Sequence, residues 1–173
     1  MTDKLNLKSR RFAIWVIVAL VVVIADQVTK SAIIQYMPYP SPPRDVNSFL
    51  TLTHQQNEGA AWSLLADAGG WQRYFFIVLA TVVSAVIGVW LWRIRHEGPL
   101  ILAAGLSLVL GGAVGNVVDR IRLGHVTDFI QVWFGSWPFP SFNVADAAIT
   151  VGAALLIVDS LFGSGRTGAA AEK

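Results

Sequence analysis

Two aspartates, Asp128 and Asp146, lie near the ends of a short polar stretch between two apolar segments. A pair of nearby carboxylates can hydrolyse an amide, because the ionised one takes a proton from water while the protonated one donates a proton to the scissile carbonyl. Like charges a few ångströms apart do not both ionise easily, so the pKa values of such a pair split. Asp128 and Asp146 are therefore predicted to work as a catalytic pair, provided that the fold brings them together.

Each aspartate also has a purely structural interpretation. Asp146 would be an acid in the first turn of a helix, where the helix dipole stabilises it by about 0.3–1 kcal/mol. Asp128 would be a solvated loop acid or a helix cap. Asn143 lies one turn before Asp146 and could bond either to that aspartate or to a substrate carbonyl. Each aspartate alone leaves both interpretations open, whereas the two together favour chemistry, because one reaction needs two such groups.

The sequence contains no other catalytic machinery that we recognise. It has no cysteine, which excludes disulfides, thiolate metal sites and a cysteine nucleophile. His54, His96 and His125 lack the spacing of a metal motif such as H-E-x-x-H. There is also no recognisable Ser-Lys or Ser-His-Asp order. We therefore expect neither a metal nor a cofactor.

The composition indicates a membrane protein. Of the 173 residues, 54% are apolar and 14% are charged, against about 25% charged in a typical soluble domain. The mean hydropathy is +0.56, and the apolar residues are gathered in long blocks. The net charge of +2 is small and divided among termini and loops, so it indicates topology and no nucleic-acid partner.

The apolar blocks predict an all-α membrane protein, a single polytopic domain of residues 1–173 with four transmembrane helices. The predicted spans are residues 12–36, 71–92, 100–118 and 143–161. A helix over 12–36 would be about 37 Å long, enough to cross a hydrocarbon core of roughly 30 Å. Residues 23–25 would also suit cleavage of a signal peptide, but the helical pattern continues beyond them.

Two regions outside the spans, residues 37–70 and 119–142, are expected on the same side of the membrane. Residues 49–54 alternate apolar and polar side chains, which predicts a strand. Residues 57–63 look like a turn followed by further strand or a membrane-dipping segment. Residues 119–142 are polar and aromatic, and we predict an interfacial loop or helix segment there.

The basic residues predict the orientation. Eight of the thirteen Lys and Arg residues lie in the first tail, the 93–99 loop and the C-terminal tail: Lys4, Lys8, Arg10, Arg11, Arg93, Arg95, Arg166 and Lys173. By the positive-inside rule both termini are cytoplasmic. The polar residues of the spans then crowd toward the extracytoplasmic face, and this asymmetry is the strongest functional signal in the pattern.

Further polar residues in the spans need a reason, because an ionisable side chain at membrane depth costs roughly 2.5–3.5 kcal/mol on insertion scales. Asp26 and Lys30 are four apart with the acid first, the better orientation for a helical pair, and we favour a structural ion pair over direct chemistry. Asn116 and Arg120 are also four apart, and Asp119 lies three after Asn116. They would either hold the third helix to its neighbours or present donors to a substrate.

The motifs together resemble the bacterial lipoprotein signal peptidases (signal peptidase II), over roughly residues 12–162. The resemblance is carried by Asp26-x-x-Thr29-Lys30, Asn57-x-Gly59-Ala60-Ala61, Gly111-Gly112-Ala113-x-Gly115-Asn116-x-x-Asp119-Arg120, Val126-x-Asp128-Phe129 and Phe142-Asn143-x-Ala145-Asp146. Five motifs in order among four spans are specific. Trp62 departs from the family, which often has phenylalanine there, but removes no catalytic group.

The resemblance implies an aspartyl endopeptidase of the bacterial cytoplasmic (inner) membrane. Its substrate would be a prolipoprotein with a diacylglyceryl-modified cysteine, cleaved just before that cysteine. Asp128 and Asp146 match the family's catalytic pair, and five positions match residues lining its site: Asn57, Gly59, Asn116, Arg120 and Asn143. A small β-sheet cradle is expected within residues 44–70. The expected partners are the substrate, membrane lipids and peptide antibiotics such as globomycin, with the protein itself a monomer.

Two other classes of function share parts of this pattern. A transporter or proton-coupled channel would also carry intramembrane carboxylates, but it would place polar groups through the membrane depth. Asp159 is the only acid predicted in a span near the cytoplasmic side. A scaffold protein without chemistry would not need Asp128 and Asp146 at one depth.

Overall fold

The structure is a computed structural model that describes residues 2–59, 69–96 and 98–162, with side chains described from residue 11 onward. Four of its helices are long and apolar enough to cross a membrane. They are α1 (Thr2–Tyr36), α2 (Trp71–Arg93), α3 (Leu100–Arg122) and α4 (Val144–Phe162). The predicted fold class is thereby confirmed. α1 runs without a break through residues 23–25, where a signal peptide would have been cleaved.

α3 is the central helix. In its membrane-crossing window 50% of the residues are buried, against 11% in each of the other three helices. It packs against α1, α2 and α4, while the exposed faces of those three helices carry large apolar side chains. Such faces suit a hydrocarbon environment, where lipid replaces a protein neighbour.

Glycines on α3 allow two neighbouring helices to approach it closely. A Cβ atom on Gly111 would lie 2.6 Å from the carbonyl oxygen of Ala19 on α1, and one on Gly112 would overlap the carbonyl of Ala145 on α4. Small residues permit this backbone contact between helices in membranes. The first turn of α4, which carries Asp146, is therefore held directly against α3.

A four-stranded antiparallel sheet lies outside the helices, in the order β1 (Arg44–Asp45), β2 (Leu50–Asn57), β3 (Val126–Phe134) and β4 (Trp137–Pro138). β2 confirms the strand predicted from the alternation in residues 49–54. The β2–β3 register shifts between Leu52 and Gln55, and Gln55 then pairs with Asp128. This pairing places Asp128 within the sheet.

The prediction of an interfacial loop or helix segment over residues 119–142 is wrong. α3 continues to Arg122, and residues 126–138 form the β3–β4 hairpin, which turns at Gly135 with φ of +64°. β3 was missed because both of its faces mix polar and apolar side chains, so the period-two pattern of a half-buried strand is absent. Residues 60–68, part of the predicted second strand or membrane-dipping segment, and the Trp62 position lie outside the described residues.

The sheet and the polar ends of the helices lie at one end of the bundle. Ile33 and Met37 at the end of α1 pack against Phe129 of β3 and fasten the sheet to the helices. At the other end, the Arg11 guanidinium donates to the carbonyl oxygens of His96 and Gly98, the latter at 2.7 Å. The start of the first span and the α2–α3 turn therefore share the opposite face.

Candidate active site

Asp146 lies in the first turn of α4 and takes part in a reciprocal cap with Asn143. The Asn143 Oδ1 accepts a hydrogen bond from the Asp146 backbone N–H at 2.9 Å, and Asp146 Oδ2 accepts one from the Asn143 backbone N–H at 3.2 Å. This is the arrangement of a capping box, here built from asparagine and aspartate. The interpretation of Asp146 as an acid of the first helical turn is thus correct for Oδ2. The other carboxylate oxygen, Oδ1, accepts a hydrogen bond from Asn116 Nδ2 on α3 at 2.8 Å.

Asp128 is buried in β3, with 3% of its surface exposed, so the interpretation of this residue as a solvated loop acid or helix cap is wrong. Its carboxylate accepts two side-chain hydrogen bonds. Asn57 Nδ2 on β2 donates to Oδ2 at 2.9 Å, and Asn143 Nδ2 donates to Oδ1 at 2.7 Å. Asn57 is itself held by the backbone N–H of Gly59, which donates to its Oδ1. The β2–β3 pairing therefore orients the carboxylate.

Asn143 connects the two aspartates. Its side-chain nitrogen donates to Asp128, and its side-chain oxygen and backbone N–H bond to Asp146. It is fully buried, and its bond to Asp128 is buried with it. Asn116 on α3 supports the arrangement, because its Oδ1 also accepts from Asn143 at 3.3 Å while its Nδ2 holds Asp146.

A buried ion cluster lies beside this pair. Lys30 Nζ on α1 is 2.8 Å from Asp26 Oδ2 and 2.8 Å from Asp119 Oδ2, and it donates to Asn116 Oδ1 at 2.9 Å. The pairing of Asp26 with Lys30 was foreseen in the sequence, whereas the second carboxylate was not. The helical spacing of Asp26 and Lys30 identified only the contact within α1, because Asp119 comes from α3.

Arg120 is a mostly buried cation at the end of α3. Its Nη2 donates to the carbonyl oxygen of Gly59 at 2.7 Å, and its guanidinium lies 5.0 Å from the ring centre of Phe76. Arg73 on α2 donates to the backbone carbonyls of Arg120 and Ile121 and so caps this helix end. Arg120 Nε is buried without a hydrogen-bond partner in the described part of the chain.

A cleft of about 1000 Å³ opens onto both aspartates. Its polar side includes Asn57, Asn116, Arg120, Asp128 and Asp146. Its apolar side comes from the hairpin and α4 and includes Phe139, Phe142, Ile149 and Val151. Val151 is half exposed on the outer face of α4, so the apolar side extends to the surface that faces lipid. The cleft can accept an extended peptide with an apolar group attached.

The electrostatics of Asp128 suit proton transfer near neutral pH. Burial raises the pKa of its carboxyl to about 7, and the nearby negative charge of Asp146 contributes to the rise. The hydrogen bonds from Asn57 and Asn143 and the positive charge of Lys30 oppose this shift of the pKa. A carboxyl with such a pKa can hold a proton at neutral pH and release it during a reaction.

The structure brings most of the sequence-predicted site residues to one place. Asn57, Asn116, Arg120, Asp128 and Asp146 line the cleft, and Asn143 bridges the two aspartates. Gly59 contributes its backbone, through the carbonyl that binds Arg120. Asp26 and Lys30 lie behind the aspartates and do not line the cleft.

Gln27 and Thr127 were not assigned a role from the sequence, and Asp119 was given the same two alternatives as Asn116 and Arg120. Gln27 Nε2 donates to Asp119 Oδ1 at 2.9 Å, and the Thr127 backbone N–H donates to Asp119 Oδ2 at 3.2 Å. The signal for Asp119 was its place one turn after Asn116 on α3. Thr127 had no such signal, because it contributes through its backbone.

Comparisons with known proteins show the family of this chain. Residues 18–162 match the family described as Signal peptidase (SPase) II. The chain belongs to the signal peptidase II family. Its membership makes it a peptidase, and the four apolar helices make it a multi-pass membrane protein.

Named relatives of this signal peptidase II family member are similar over most of their length. A lipoprotein signal peptidase of Cupriavidus taiwanensis is 53% identical over 148 residues, which cover 86% of this chain and 82% of that protein. One of Acinetobacter baumannii (strain SDF) is 46% identical over 149 residues, or 86% of this chain and 84% of the relative.

Solved structures share the fold of this signal peptidase II family member. A bacterial membrane enzyme determined by the in meso method at 2.3 Å resolution has a TM-score of 0.79 and 32% identity, over 89% of this chain and 91% of the other. A second, at 1.9 Å resolution, has a TM-score of 0.75 and 32% identity, over 87% and 94% of the two chains.

Proposed function

We propose that the protein is an aspartyl endopeptidase that removes the signal peptide from diacylglyceryl-modified prolipoproteins, cleaving just before the lipidated cysteine. The observation that carries the proposal is the junction of Asp128 and Asp146 through Asn143 at the floor of the cleft. Family membership and the relatives named lipoprotein signal peptidase support the substrate class. No cofactor or metal is required by this mechanism.

The two aspartates divide the proton transfers. Asp128 carries the shared proton, since its pKa is raised to about 7, and Asp146 acts as the base. Asp146 takes a proton from water as the water oxygen attacks the scissile carbonyl carbon, and Asp128 donates its proton to the carbonyl oxygen. The resulting gem-diol collapses as its C–N bond breaks. Asp146 gives the proton that it took from water to the departing cysteine nitrogen, and Asp128 takes a proton back from one hydroxyl of the gem-diol, which restores both aspartates to their starting states. The products are the released signal peptide, which now ends in a carboxyl group, and a lipoprotein whose lipidated cysteine has a free amino group.

The remaining groups of the polar side bind and orient the peptide. Arg120 lines the cleft, and its Nη2 is fixed by the carbonyl oxygen of Gly59, which holds the guanidinium beside the bound peptide. Asn57, Asn116 and Asn143 hold the carboxylates in fixed orientations, which reduces the reorganisation needed during the reaction. These five residues are proposed to line the substrate site, and Asp26 with Lys30 is proposed to be structural.

The apolar side of the cleft suits the lipid. Phe139 and Phe142 on the hairpin side face Ile149 and Val151 on α4, next to the surface that faces lipid. Acyl chains can remain in the bilayer while the attached peptide reaches Asp128 and Asp146. Confinement of the substrate to the membrane surface also supplies part of the positioning that catalysis requires.

The proposed setting is the bacterial cytoplasmic membrane, with both termini in the cytoplasm and the cleft near the extracytoplasmic face. The basic residues favour this orientation, and Arg11 joins the first span to the basic α2–α3 turn at the end opposite the sheet. The protein is proposed to act as a monomer and to be inhibited by peptide antibiotics such as globomycin. The crowding of polar groups at one end argues against a transporter.

The experiment that tests the function uses purified full-length protein and a prolipoprotein that carries the diacylglyceryl group. Mass spectrometry is expected to find two products, with the break directly before the lipidated cysteine. An uncleaved precursor, under conditions where the protein binds it, would refute the endopeptidase activity. Cleavage at another bond would refute the assigned position.

We predict that the turnover number falls as the pH rises above about 7. The raised pKa of Asp128 means that its carboxyl is protonated below this pH and ionised above it, and ionisation removes the proton that the scissile carbonyl needs. The decline should approach about tenfold per pH unit. The measurement is the cleavage rate at saturating substrate between about pH 5 and pH 9 in a zwitterionic detergent. A constant rate across the alkaline half would contradict the protonated role of Asp128.

A further inference from the structure

Each proposed catalytic aspartate is preceded by a residue whose backbone N–H bonds to a different buried carboxylate. Thr127, before Asp128, donates its N–H to Asp119 Oδ2 at 3.2 Å. Ala145, before Asp146, donates its N–H to Asp26 Oδ1 at 2.9 Å. The two carboxylates come from other elements of the fold. Asp119 on α3 holds β3 just before Asp128, and Asp26 on α1 holds α4 just before Asp146.

One lysine joins the two carboxylates. Lys30 Nζ lies 2.8 Å from Asp26 Oδ2 and 2.8 Å from Asp119 Oδ2, and its third contact is Asn116 Oδ1 at 2.9 Å. The exposed fractions of Asp26, Lys30 and Asp119 are 0%, 1% and 2%. All three donor positions of the ammonium are therefore occupied, and its orientation is determined by three fixed acceptors.

We propose that Lys30, through Asp26 and Asp119, positions the backbone in front of both catalytic aspartates and so sets the spacing of their carboxyls. The inference rests on the proposed two-aspartate function and adds three positioning residues to it. Lys30 does not line the cleft. Its polar contacts are Asp26, Asp119 and Asn116, and it makes no hydrogen bond to Asp128 or Asp146. Its positioning effect is transmitted through the N–H groups of Thr127 and Ala145 and through Asn116, which donates to Asp146. Its positive charge also acts on Asp128 directly.

The arrangement has a physical reason beyond stability. A buried ion cluster costs desolvation, and an apolar replacement of similar volume is often as stable. An apolar contact, however, does not fix a backbone N–H in direction or distance, whereas a carboxylate held by an ammonium does. The reaction needs such precision, because a displacement of about 1 Å can lower a rate about 10²-fold. β3 and α4 come from distant parts of the fold, and the cluster is one point to which both are tied.

The first test is a series at Asp119. Asp119→Ala removes the acceptor of the Thr127 N–H, while Asp119→Asn keeps one acceptor oxygen and loses the charge. We expect kcat to fall about 10²-fold in Asp119→Ala and about tenfold in Asp119→Asn, with KM changing less than about threefold. Rates are measured with lipidated precursor, per folded molecule, well below the melting temperature. The partial rescue by asparagine is the signature of positioning by a hydrogen bond.

Ser107→Ala is the matched control. Ser107 is also buried on α3 and donates to the carbonyl oxygen of Ala103 at 2.7 Å, but it lies more than two helical turns from Asp119. The variant is expected to keep the wild-type kcat even where its melting temperature falls. A wild-type kcat per folded molecule in Asp119→Ala, matching that control, would overturn the inference.

The second test is the pH profile of Lys30→Met. The charged groups that act on Asp128 are Asp146 on α4, Lys30 on α1 and Arg120 on α3, and Glu58 after β2 lines the same cleft. The positive charge of Lys30 lowers the pKa of Asp128, so its loss should move the alkaline decline of kcat to higher pH. The loss of positioning should also lower the maximum value of kcat. Lys30→Gln, which keeps two N–H donors, is the second variant if Lys30→Met does not fold. An unchanged profile with an unchanged maximum in the folded variant would count against the inference.

The activities of the variants distinguish the proposed function from the positioning role of Lys30, Asp26 and Asp119. If Asp128→Asn or Asp146→Asn retains full activity, the two-aspartate function is wrong and the positioning inference falls with it. If both variants lose activity but Asp119→Ala keeps the wild-type kcat, the function stands and only the positioning inference is wrong.

Discussion

Replacement of Asp128 with asparagine is expected to lower the rate of precursor cleavage by at least about 10³-fold. Asparagine has nearly the same shape but cannot carry the shared proton to the scissile carbonyl. In the folded protein the substituted amide meets two donors, Asn57 Nδ2 and Asn143 Nδ2. Since an amide has a single acceptor oxygen, one of these donors loses its partner, at a cost of about 1–3 kcal/mol. The melting temperature therefore has to be measured beside the rate.

Asp146→Asn is expected to lose activity to a similar degree, because it removes the base that takes a proton from water. Asp45→Asn is the control for both substitutions. Asp45 lies on the edge strand β1, where its Oδ1 accepts from the Thr51 hydroxyl at 2.6 Å, and it is not among the residues that line the cleft. Its amide variant should cleave at the wild-type rate. Full activity of a purified, folded Asp128→Asn or Asp146→Asn variant would refute the catalytic pair.

Removal of the lipid from the substrate is expected to lower kcat/KM by about 10²-fold or more. In a nanodisc the acyl chains are already out of water, so the difference is expected from their contacts with the apolar side of the cleft, from Phe139 to Val151, which fix the position of the attached peptide. Loss of that positioning lowers the rate at which the peptide reaches a reactive geometry. The measurement compares one precursor sequence, with and without the diacylglyceryl group, in lipid nanodiscs.

The comparison separates recognition from simple anchoring. The unlipidated precursor still carries its apolar signal peptide, so both forms are held at the membrane. A difference in kcat/KM then reports the lipid at the cleft. Equal turnover of the two forms would show that the apolar side has no part in substrate selection, while the two-aspartate chemistry would be unaffected.

Local patterns determined several features correctly. Long apolar blocks predicted four membrane-crossing helices, because a helix in lipid must be apolar on almost every face and the signal extends over some twenty residues. The alternation in residues 49–54 predicted β2, whose two faces differ in burial. The spacing of four between Asp26 and Lys30 predicted a contact within one helix, where geometry is independent of the rest of the fold.

The assembly of the site depended on tertiary structure. The mixed faces of β3 gave no periodic signal, so its pairing with β2, and with it the bond from Asn57 to Asp128, was visible only in the fold. The contact of Asp119 with Lys30 joins α3 to α1, and no spacing within one segment encodes such a contact. The side chains of Asp128 and Asp146 were recognisable as residue types able to hydrolyse an amide. Their junction through Asn143 required the backbone of α4 to meet β3, because hydrogen bonds between distant segments depend on three-dimensional register and not on sequence separation.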